Sequence, residues 1–332
     1  MLKGAIIGTG KIAMTGHMPA YGCSEVNKHL SIAAAVDTVE SSAENFRRHF
    51  NIPVYNSLPA LLKEQDIDFI DICVPPNNHR QYIEESVNYS LPVICEKPFC
   101  LDEKNARYLA ALLKKSGTVF IPCHQYKYSP VWSCFKELAD THPAKWLLQF
   151  NISRLQADTG FNKQNAAWRT DRKFSGGGIL ADTGVHYLYL VPWILGSPVC
   201  VTARTYSLKQ NRYSVEDTAL VIIECEKGTA QINLTWSADK RANSASLVSE
   251  AGSLYYNGET LTKHINGVSE LIPVPDVSDK TTYIQQYVCL FNEFTNLTGS
   301  GTGRHISEAY DSVRLLNAAY SSAEKNITIT LD

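Results

Sequence analysis

The sequence predicts an α/β chain in two parts: an N-terminal doubly wound domain over residues 1–122, and a C-terminal α+β domain over 123–332 with a mainly antiparallel sheet. Three observations predict it. The 332 residues exceed the roughly 250 at which single cores stop growing. Up to residue 122, short β-rich runs alternate with helical patterns, the grammar of right-handed βαβ crossovers on a parallel sheet. Beyond residue 123, strand patterns follow one another through turn residues, which favours antiparallel pairing.

In order, "KGAIIG" reads as a strand and is followed by a helix into the teens. "SIAAAVD" is the next strand, "SSAENFRRHF" the next helix, "IDFIDICVP" a strand and "HRQYIEESVNYS" a helix. "LPVICEK", "DEKNARYLAALLKKSG" and "TVFIPC" continue the alternation as strand, helix and strand. Then come the strands "AKWLLQFNISR", "VCVTARTYSL", "TALVIIECEKGTAQINLTW" and "ASLVSEAGSLYYNG", with hairpin turns at Lys227-Gly228 and Ala251-Gly252. "GILADTGVHYLYLVPWILG", "TTYIQQYVCLFNEFTNLTG" and "ISEAYDSVRLLNAAYSSAEK" are helices, and the glycine-rich 298–303 follows a helix, so it reads as a connector.

Composition excludes several classes. With 44% hydrophobic and 19% charged residues and a net charge of −2, there is no excess of positive charge for a nucleic-acid partner. "MLKGAIIG" is too short for a signal core, and no apolar run reaches the roughly 18 residues of a membrane span, so the protein is expected to be cytoplasmic. Nine cysteines, several inside β-like runs, are read as reduced and structural. Neither C-x-x-C nor H-E-x-x-H spacing occurs, so no metal site is expected.

"GAIIGTGKIA" places Gly8, Gly10 and Ala13 in G-x-G-x-x-G/A spacing between a strand and a helix, the signature of a Rossmann dinucleotide turn. The glycines allow a tight turn and let the backbone approach a pyrophosphate, with Thr9, Lys11 and Ile12 completing the cofactor-facing turn. The second strand ends in Asp37, placed for a ribose diol. With Thr38 rather than Arg beside it, Asp37 favours NAD over NADP, and Arg47 and Arg48 are read as a solvated helix face. "CVPPNNH" ends the next strand at the same carboxyl edge, so Pro75, Asn77 and His79 are expected to border the cofactor. A histidine just inside a helix start serves more often as a structural hydrogen-bonding partner than as a catalyst.

"VICEKPFC" brings Glu96 and Lys97 to that edge, ahead of Pro98. A surface ion pair would be worth about 0 to 1 kcal/mol and would need no proline. Proline suggests instead that the direction of the bond matters, and a cis Lys97-Pro98 peptide is expected.

At this point the sequence resembles the Gfo/Idh/MocA oxidoreductases, the glucose-fructose oxidoreductase and inositol dehydrogenase family. The resemblance runs through "GAIIGTGKIA", "AAAVD", "VPPNNH", "EKP", "WRTD", "SGGGILADTGVHYL" and the closing "ITITL", nearly the whole chain. It implies hydride transfer between a nicotinamide and a secondary hydroxyl or ketone of a sugar, nucleotide sugar or cyclic polyol. It also implies a C-terminal domain for substrate binding whose large open sheet joins subunits into a homodimer or homotetramer. By position, Lys97, Asp182 and His186 match the family's catalytic set, and with Lys127 they are the expected substrate contacts. Glu96, Lys97, Trp168 and Arg169 are expected beside the cofactor. For Trp168-Arg169 the alternative is that the pair only packs and meets an acid; for Lys127 it is a solvated strand-end lysine.

Elementary chemistry agrees with the set. Asp182 and His186 are four apart on a helical pattern and share a face. A carboxylate there favours imidazolium, suiting His186 as general base, while Lys97 would stabilise alkoxide charge. The triple glycine 176–178 is read as letting the chain pass close to cofactor or substrate. Many relatives have Asp where this chain has Tyr189, which leaves substrate orientation open. "LQADTGFNKQNAAW" is expected on the substrate side. The competing readings are an NADP-dependent keto-sugar reductase, an oxidoreductase recycling a tightly bound cofactor, and a non-catalytic dinucleotide-sensing regulator.

Overall fold

The computed structural model describes residues 1–158, 166–209, 213–277, 279–297 and 301–331. These form two compact units, one of Met1–Gln125 with Tyr283–Tyr310, the other of the remaining described residues. The helix Lys280–Asn296 is therefore mostly part of the first unit, whereas the sequence division at 122 puts it in the second. Its buried aromatics Tyr287, Phe291 and Phe294 account for this, because they pack on His17, Tyr21 and Phe69 of the first unit.

The first unit holds six strands: β1 (Leu2–Ile7), β2 (Leu30–Val36), β3 (Val54–Tyr55), β4 (Phe69–Ile72), β5 (Val93–Cys95) and β6 (Phe120–Pro122). All pair in parallel, in the order β3-β2-β1-β4-β5-β6 of a Rossmann sheet. β1 is buried from Gly4 onward and all of β4 is buried, as expected of strands covered on both faces. The crossover helix Glu103–Ser116 shows how locally the sequence sets its ends. Asp102 caps it by accepting the Asn105 amide at 2.8 Å. Ala106, Leu109, Ala110 and Leu113 supply its buried stripe, and Gly117, at φ 68°, ends it by donating to the Leu113 carbonyl.

The second unit holds nine strands: β7 (Trp146–Ser153), β8 (Pro198–Tyr206), β9 (Thr218–Cys225), β10 (Gly228–Thr235), β11 (Ala242–Ser249), β12 (Gly252–Tyr256), β13 (Thr260–Ile265), β14 (Val268–Pro273) and β15 (Ile329–Thr330). They form one mixed sheet in the order β14-β13-β12-β11-β7-β10-β9-β8-β15. β10 pairs with β7 in parallel and every other pairing is antiparallel. Along β7, Trp146, Leu148, Phe150 and Ile152 are buried and Leu147 is exposed, the alternation of a sheet covered on one face. Phe150 meets Trp132 of the helix Pro130–Thr141 at 5.3 Å and Tyr187 of the helix Val185–Leu195 at 4.9 Å between ring centroids. Full burial of side chains of this size stabilises by about 1.5 to 3 kcal/mol each, which fixes both helices on that face.

The sequence reading anticipates the hairpins at Lys227-Gly228 and Ala251-Gly252, but it omits β3, β13, β14 and the helix Pro130–Thr141. β13 and β14 carried a usable signal: Asn266 at φ 52° and Gly267 at φ 76° make the Asn-Gly hairpin turn. Of the expected connector 298–303, residues 298–300 lie outside the described residues, and Thr302 and Gly303 begin the helix Thr302–Lys325. The Thr302 hydroxyl there accepts the Phe120 amide at 3.1 Å.

Candidate active site

In the first unit, β1 runs into the Gly8-Thr9-Gly10 turn. Gly8 sits at φ 94°, and a Cβ on it would lie 2.9 Å from the Cys73 carbonyl, so only glycine serves. A Cβ on Gly10 would meet nothing within 4 Å, leaving the turn open on the side a pyrophosphate would approach. Asp37 Oδ2 accepts the Thr9 amide at 2.8 Å and the Thr9 hydroxyl at 2.6 Å, while Oδ1 accepts the Val39 amide at 2.8 Å. The carboxylate at the end of β2 is thereby locked beside the turn. Lys11 and Ile12, both half-buried, open the helix that follows. Arg47 pairs with Glu40 at 2.9 Å on the helix surface, as the sequence reading expects.

The loop after β4 carries Pro75 and then Asn77, whose Oδ1 is buried without a hydrogen-bond partner among the described residues. An acceptor left in that state costs free energy unless a bound group satisfies it. Together with the open Gly10 and the fixed Asp37, it fits a dinucleotide. His79 does something different. Fully buried, it spans from the Val74 carbonyl (Nε2, 2.9 Å) to the Pro98 carbonyl (Nδ1, 2.9 Å), and burial lowers its pKa despite those carbonyls. Both ring nitrogens lie against backbone carbonyls of the two loops, and the neutral ring donates to one of them.

The Lys97-Pro98 bond is cis, as expected. Lys97 is half-buried, but its neighbour Glu96 turns inward instead of toward a cofactor. Glu96 Oε1 accepts from His17 Nε2 at 3.0 Å and from the Tyr287 hydroxyl. His17 Nδ1 meets Asp71 Oδ2 at 2.7 Å, and Tyr21 donates to the same Asp71 oxygen at 3.0 Å. Burial alone would depress the His17 pKa, but the Asp71 carboxylate, together with Cys73 and Cys123, outweighs it and holds the ring well above its ordinary value. Glu96 is likewise raised by burial, but the His17 hydrogen bond and charge leave it below the usual carboxylate range. The ligating atoms of His17, Asp71 and Cys73 lie within 4.8 Å of one another, as do those of His17, Glu96 and Cys123. No short motif joins residues so far apart in sequence. One signal was available: Asp71 stands alone in the apolar run "FIDI", and a carboxylate in a strand buried on both faces demands a partner.

In the second unit, the segment of Asp182 and His186 begins with a wide π-helical turn, Leu180–Gly184, before the regular helix Val185–Leu195. Arg169 Nε lies 3.3 Å from Asp182 Oδ1, and the guanidinium stacks 4.3 Å from the Trp168 ring. Trp168, Arg169 and Asp182 thus form one group, matching the alternative in which Arg169 meets an acid. His186, 7% exposed, lies flat on the Tyr126 ring at 4.3 Å, and its Nδ1 is 3.0 Å from Tyr189 Oη. Lys127 Nζ sits 5.8 Å from the centre of the Trp193 ring. Half of "LQADTGFNKQNAAW", residues 159–165, lies outside the described residues.

The triple glycine has a different cause from the close approach to ligand that its sequence suggests. Gly176, at φ 80°, ends the short helix Arg172–Ser175. A Cβ on Gly177 would overlap Tyr320 Oη, and one on Gly178 would overlap the Glu216 carbonyl oxygen. Glu216 accepts the Gly178 amide on both carboxylate oxygens at 2.9 Å, the Leu180 amide at 3.2 Å and the Tyr320 hydroxyl at 2.7 Å. It holds the start of the segment that carries Asp182 and His186. Nothing in the local sequence announces it.

The oxidoreductase family model described as an NAD-binding Rossmann fold, Gfo/Idh/MocA, matches residues 2–124, and its C-terminal domain model matches residues 147–255. The chain belongs to the Gfo/Idh/MocA family. Among similar proteins, an uncharacterized oxidoreductase of Schizosaccharomyces pombe is 28% identical over 67% of this chain and 59% of its own length. This Gfo/Idh/MocA chain therefore spans less than two thirds of that relative. D-glucoside 3-dehydrogenase of Escherichia coli is 23% identical over 99% of this chain and 97% of its own. A solved oxidoreductase of Agrobacterium radiobacter, in complex with NAD+, L-tartaric acid and magnesium, superimposes with a TM-score of 0.86 at 19% identity, covering 99% of this chain and 98% of that one. That likeness shows that the two chains share a fold. No helix among the described residues is long and apolar enough to cross a membrane.

Proposed function

We propose that the protein is an NAD-dependent dehydrogenase of a secondary hydroxyl on a sugar, nucleotide sugar or cyclic polyol, and that Lys97, Asp182 and His186 carry the chemistry. The observation that carries the reading is the setting of His186. Its ring is held in plane by Tyr126 and at Nδ1 by Tyr189, and Asp182, paired with Arg169, sits one turn earlier on the same helical segment. This is the preorganisation a proton-transfer group needs.

NAD, when bound, supplies a hydride acceptor at nicotinamide C4. The chain's own residues do the rest. Asp37, fixed by Thr9 and Val39, accepts from a ribose diol and repels a 2′-phosphate, the basis for NAD over NADP. The Lys97 ammonium donates to the reacting oxygen and stabilises its negative charge. His186 takes the hydroxyl proton as the hydride leaves the adjoining carbon, so the alcohol loses one hydride and one proton and becomes a carbonyl. Asp182 and Lys127 are the further substrate contacts in this reading. Exposed Leu147, Ile222 and Tyr255 on the open sheet support self-association through that face. All nine cysteines are free, which suits a reducing compartment such as the cytoplasm.

The test is a panel of inositols, free sugars, sugar phosphates and nucleotide sugars, run with NAD and NADP separately and followed by reduced-nicotinamide absorbance. Turnover of one class with NAD, lowered about 10² to 10⁴-fold in His186→Ala, is expected. A Lys97→Ala or His186→Ala protein with undiminished turnover would refute the assignment.

A further inference from the structure

Resting on the reading of Lys97 as the group that meets the reacting oxygen, we infer that His17 is a positioning residue for Lys97 and acts through Glu96. Glu96 uses both of its carboxylate oxygens. Oε1 meets His17 Nε2 at 3.0 Å and the Tyr287 hydroxyl, while Oε2 accepts the backbone amide of Lys97 at 3.2 Å. The carboxylate thereby fixes the peptide unit from which the Lys97 side chain departs. It can do so only while it is itself held.

His17 supplies the hold. Its other nitrogen, Nδ1, meets Asp71 Oδ2 at 2.7 Å, and Asp71 lies in β4, which pairs with β1 on one side and β5 on the other. Tyr21 donates to the same Asp71 oxygen at 3.0 Å. The ring contacts are of hydrogen-bond length, and His17, Asp71, Tyr21, Glu96 and Tyr287 are all buried, so water does not replace a bond that is lost. The Tyr287 and Phe291 rings, with centroids 4.4 and 5.5 Å from the imidazole, leave it no room to turn away. Anchoring therefore runs outward from the middle of the sheet, from Asp71 to His17, Glu96 and the Lys97 amide. The contact with Glu96 holds whether the shared proton rests on Nε2 or on the carboxyl oxygen, so bridging the two acids, not one charge state, is what matters. The backbone points the same way. His17 closes a wide π-helical turn, Ala13–His17, in the helix that follows the glycine turn, and such turns gather at functional positions.

His17→Gln tests this, because one amide nitrogen cannot span what two nitrogens on opposite sides of a ring do. Hydrogen exchange in the full chain, labelled at lysine, reads the anchor without substrate, the Lys97 amide being the signal absent from Lys97→Ala. That amide should be protected in the wild type and exchange about 10- to 100-fold faster in His17→Gln, as for a lost bond to a charged group. In turnover with NAD and the hydroxyl compound found by the panel, His17→Gln should lower kcat about 10- to 100-fold, the cost of a misplaced reacting group. NAD affinity should fall far less. In the Lys97→Ala background, with no amine left to place, the same substitution should cost less than about twofold. An equal fall in both backgrounds, a matching fall in NAD affinity or an undiminished kcat would overturn the inference. If His17→Gln fails to fold, the wild-type amide decides, and exchange at the rate of an open loop overturns it. Full turnover in Lys97→Ala would instead remove the reading of Lys97 itself, whatever His17→Gln does.

Discussion

Both carboxylate oxygens of Glu216 accept the amide of Gly178, each at 2.9 Å. The contact closes a ring of donors, with Leu180 and Tyr320, around one half-buried side chain at the head of the segment bearing Asp182 and His186. Hydrogen bonds to a charged group are worth about 1.5 to 3 kcal/mol. Glu216→Ala should therefore lower unfolding free energy by about that amount and reduce turnover more than cofactor affinity. Denaturant melts and NAD titration of the same variant separate the two effects, and an unchanged melt would discredit the tether.

Glycine positions divide by what surrounds them. Gly178→Ala drives a Cβ into backbone, the Glu216 carbonyl, and should prevent folding or cost several-fold in soluble yield. Gly303→Ala, in a helix and with nothing within 4 Å, should stabilise by about 0.4 to 1 kcal/mol. Thermal melts of both proteins check the pair. A destabilised Gly303→Ala would mean that its helix is not formed as described.

Asp37 holds the glycine turn through Thr9, so its removal should have two consequences. In Asp37→Ala, NAD affinity should fall about 10- to 100-fold, the loss of hydrogen bonds to a charged acceptor. NADP should meanwhile gain relative to NAD, because the charge that repels a 2′-phosphate is gone. Fluorescence titration with each dinucleotide decides the matter, and an unaltered NAD:NADP ratio would count against Asp37 as the discriminating group.

The buried His17 predicts a pH window for stability. Its folded pKa is raised, so its contribution is fully present below the unfolded value of about 6.5 and disappears as pH rises through the folded value. Glu96 is shifted the other way. Its contribution is present above the ordinary carboxylate range and is lost as pH falls through its lowered folded value. Unfolding free energy should therefore decline on both the alkaline and the acid side. His17→Gln should flatten the alkaline decline, which urea melts across pH would reveal. An alkaline slope equal to wild type would show that His17 is not charged.

What was legible in the sequence was whatever is set locally. β1, the Gly8-Thr9-Gly10 turn, β2 and Asp37 form a contiguous unit, and their alternation and end residues specify it. Short motifs single out Lys97 and His186 as candidates, but they do not give what surrounds them. Glu96 looked like an edge residue because its partners, His17 and Tyr287, come from both ends of the chain. The three glycines were misread for the same reason, since Glu216 lies 38 residues from Gly178 and nothing near the glycines points to it. The π-helical turn at Leu180–Gly184 left no trace in an apolar pattern that suits an ordinary helix equally well. Asn266-Gly267 and the solitary Asp71 were the opposite case, signals present but unused.

The single parallel pairing in the second sheet joins two strands that lie far apart in the chain. β7 lies between β10 and β11, with Trp146 opposite Gly228 and Leu147 opposite Val248. As the chain leaves the ribosome, β8, β9 and β10 can zip together in sequence while both backbone edges of β7 wait for β10 and β11. Joining it closes a long loop, a slow event for the same reason that distant contacts slow any folding reaction. Until that moment β7 has two unpaired edges, the feature that lets a strand pair with another chain.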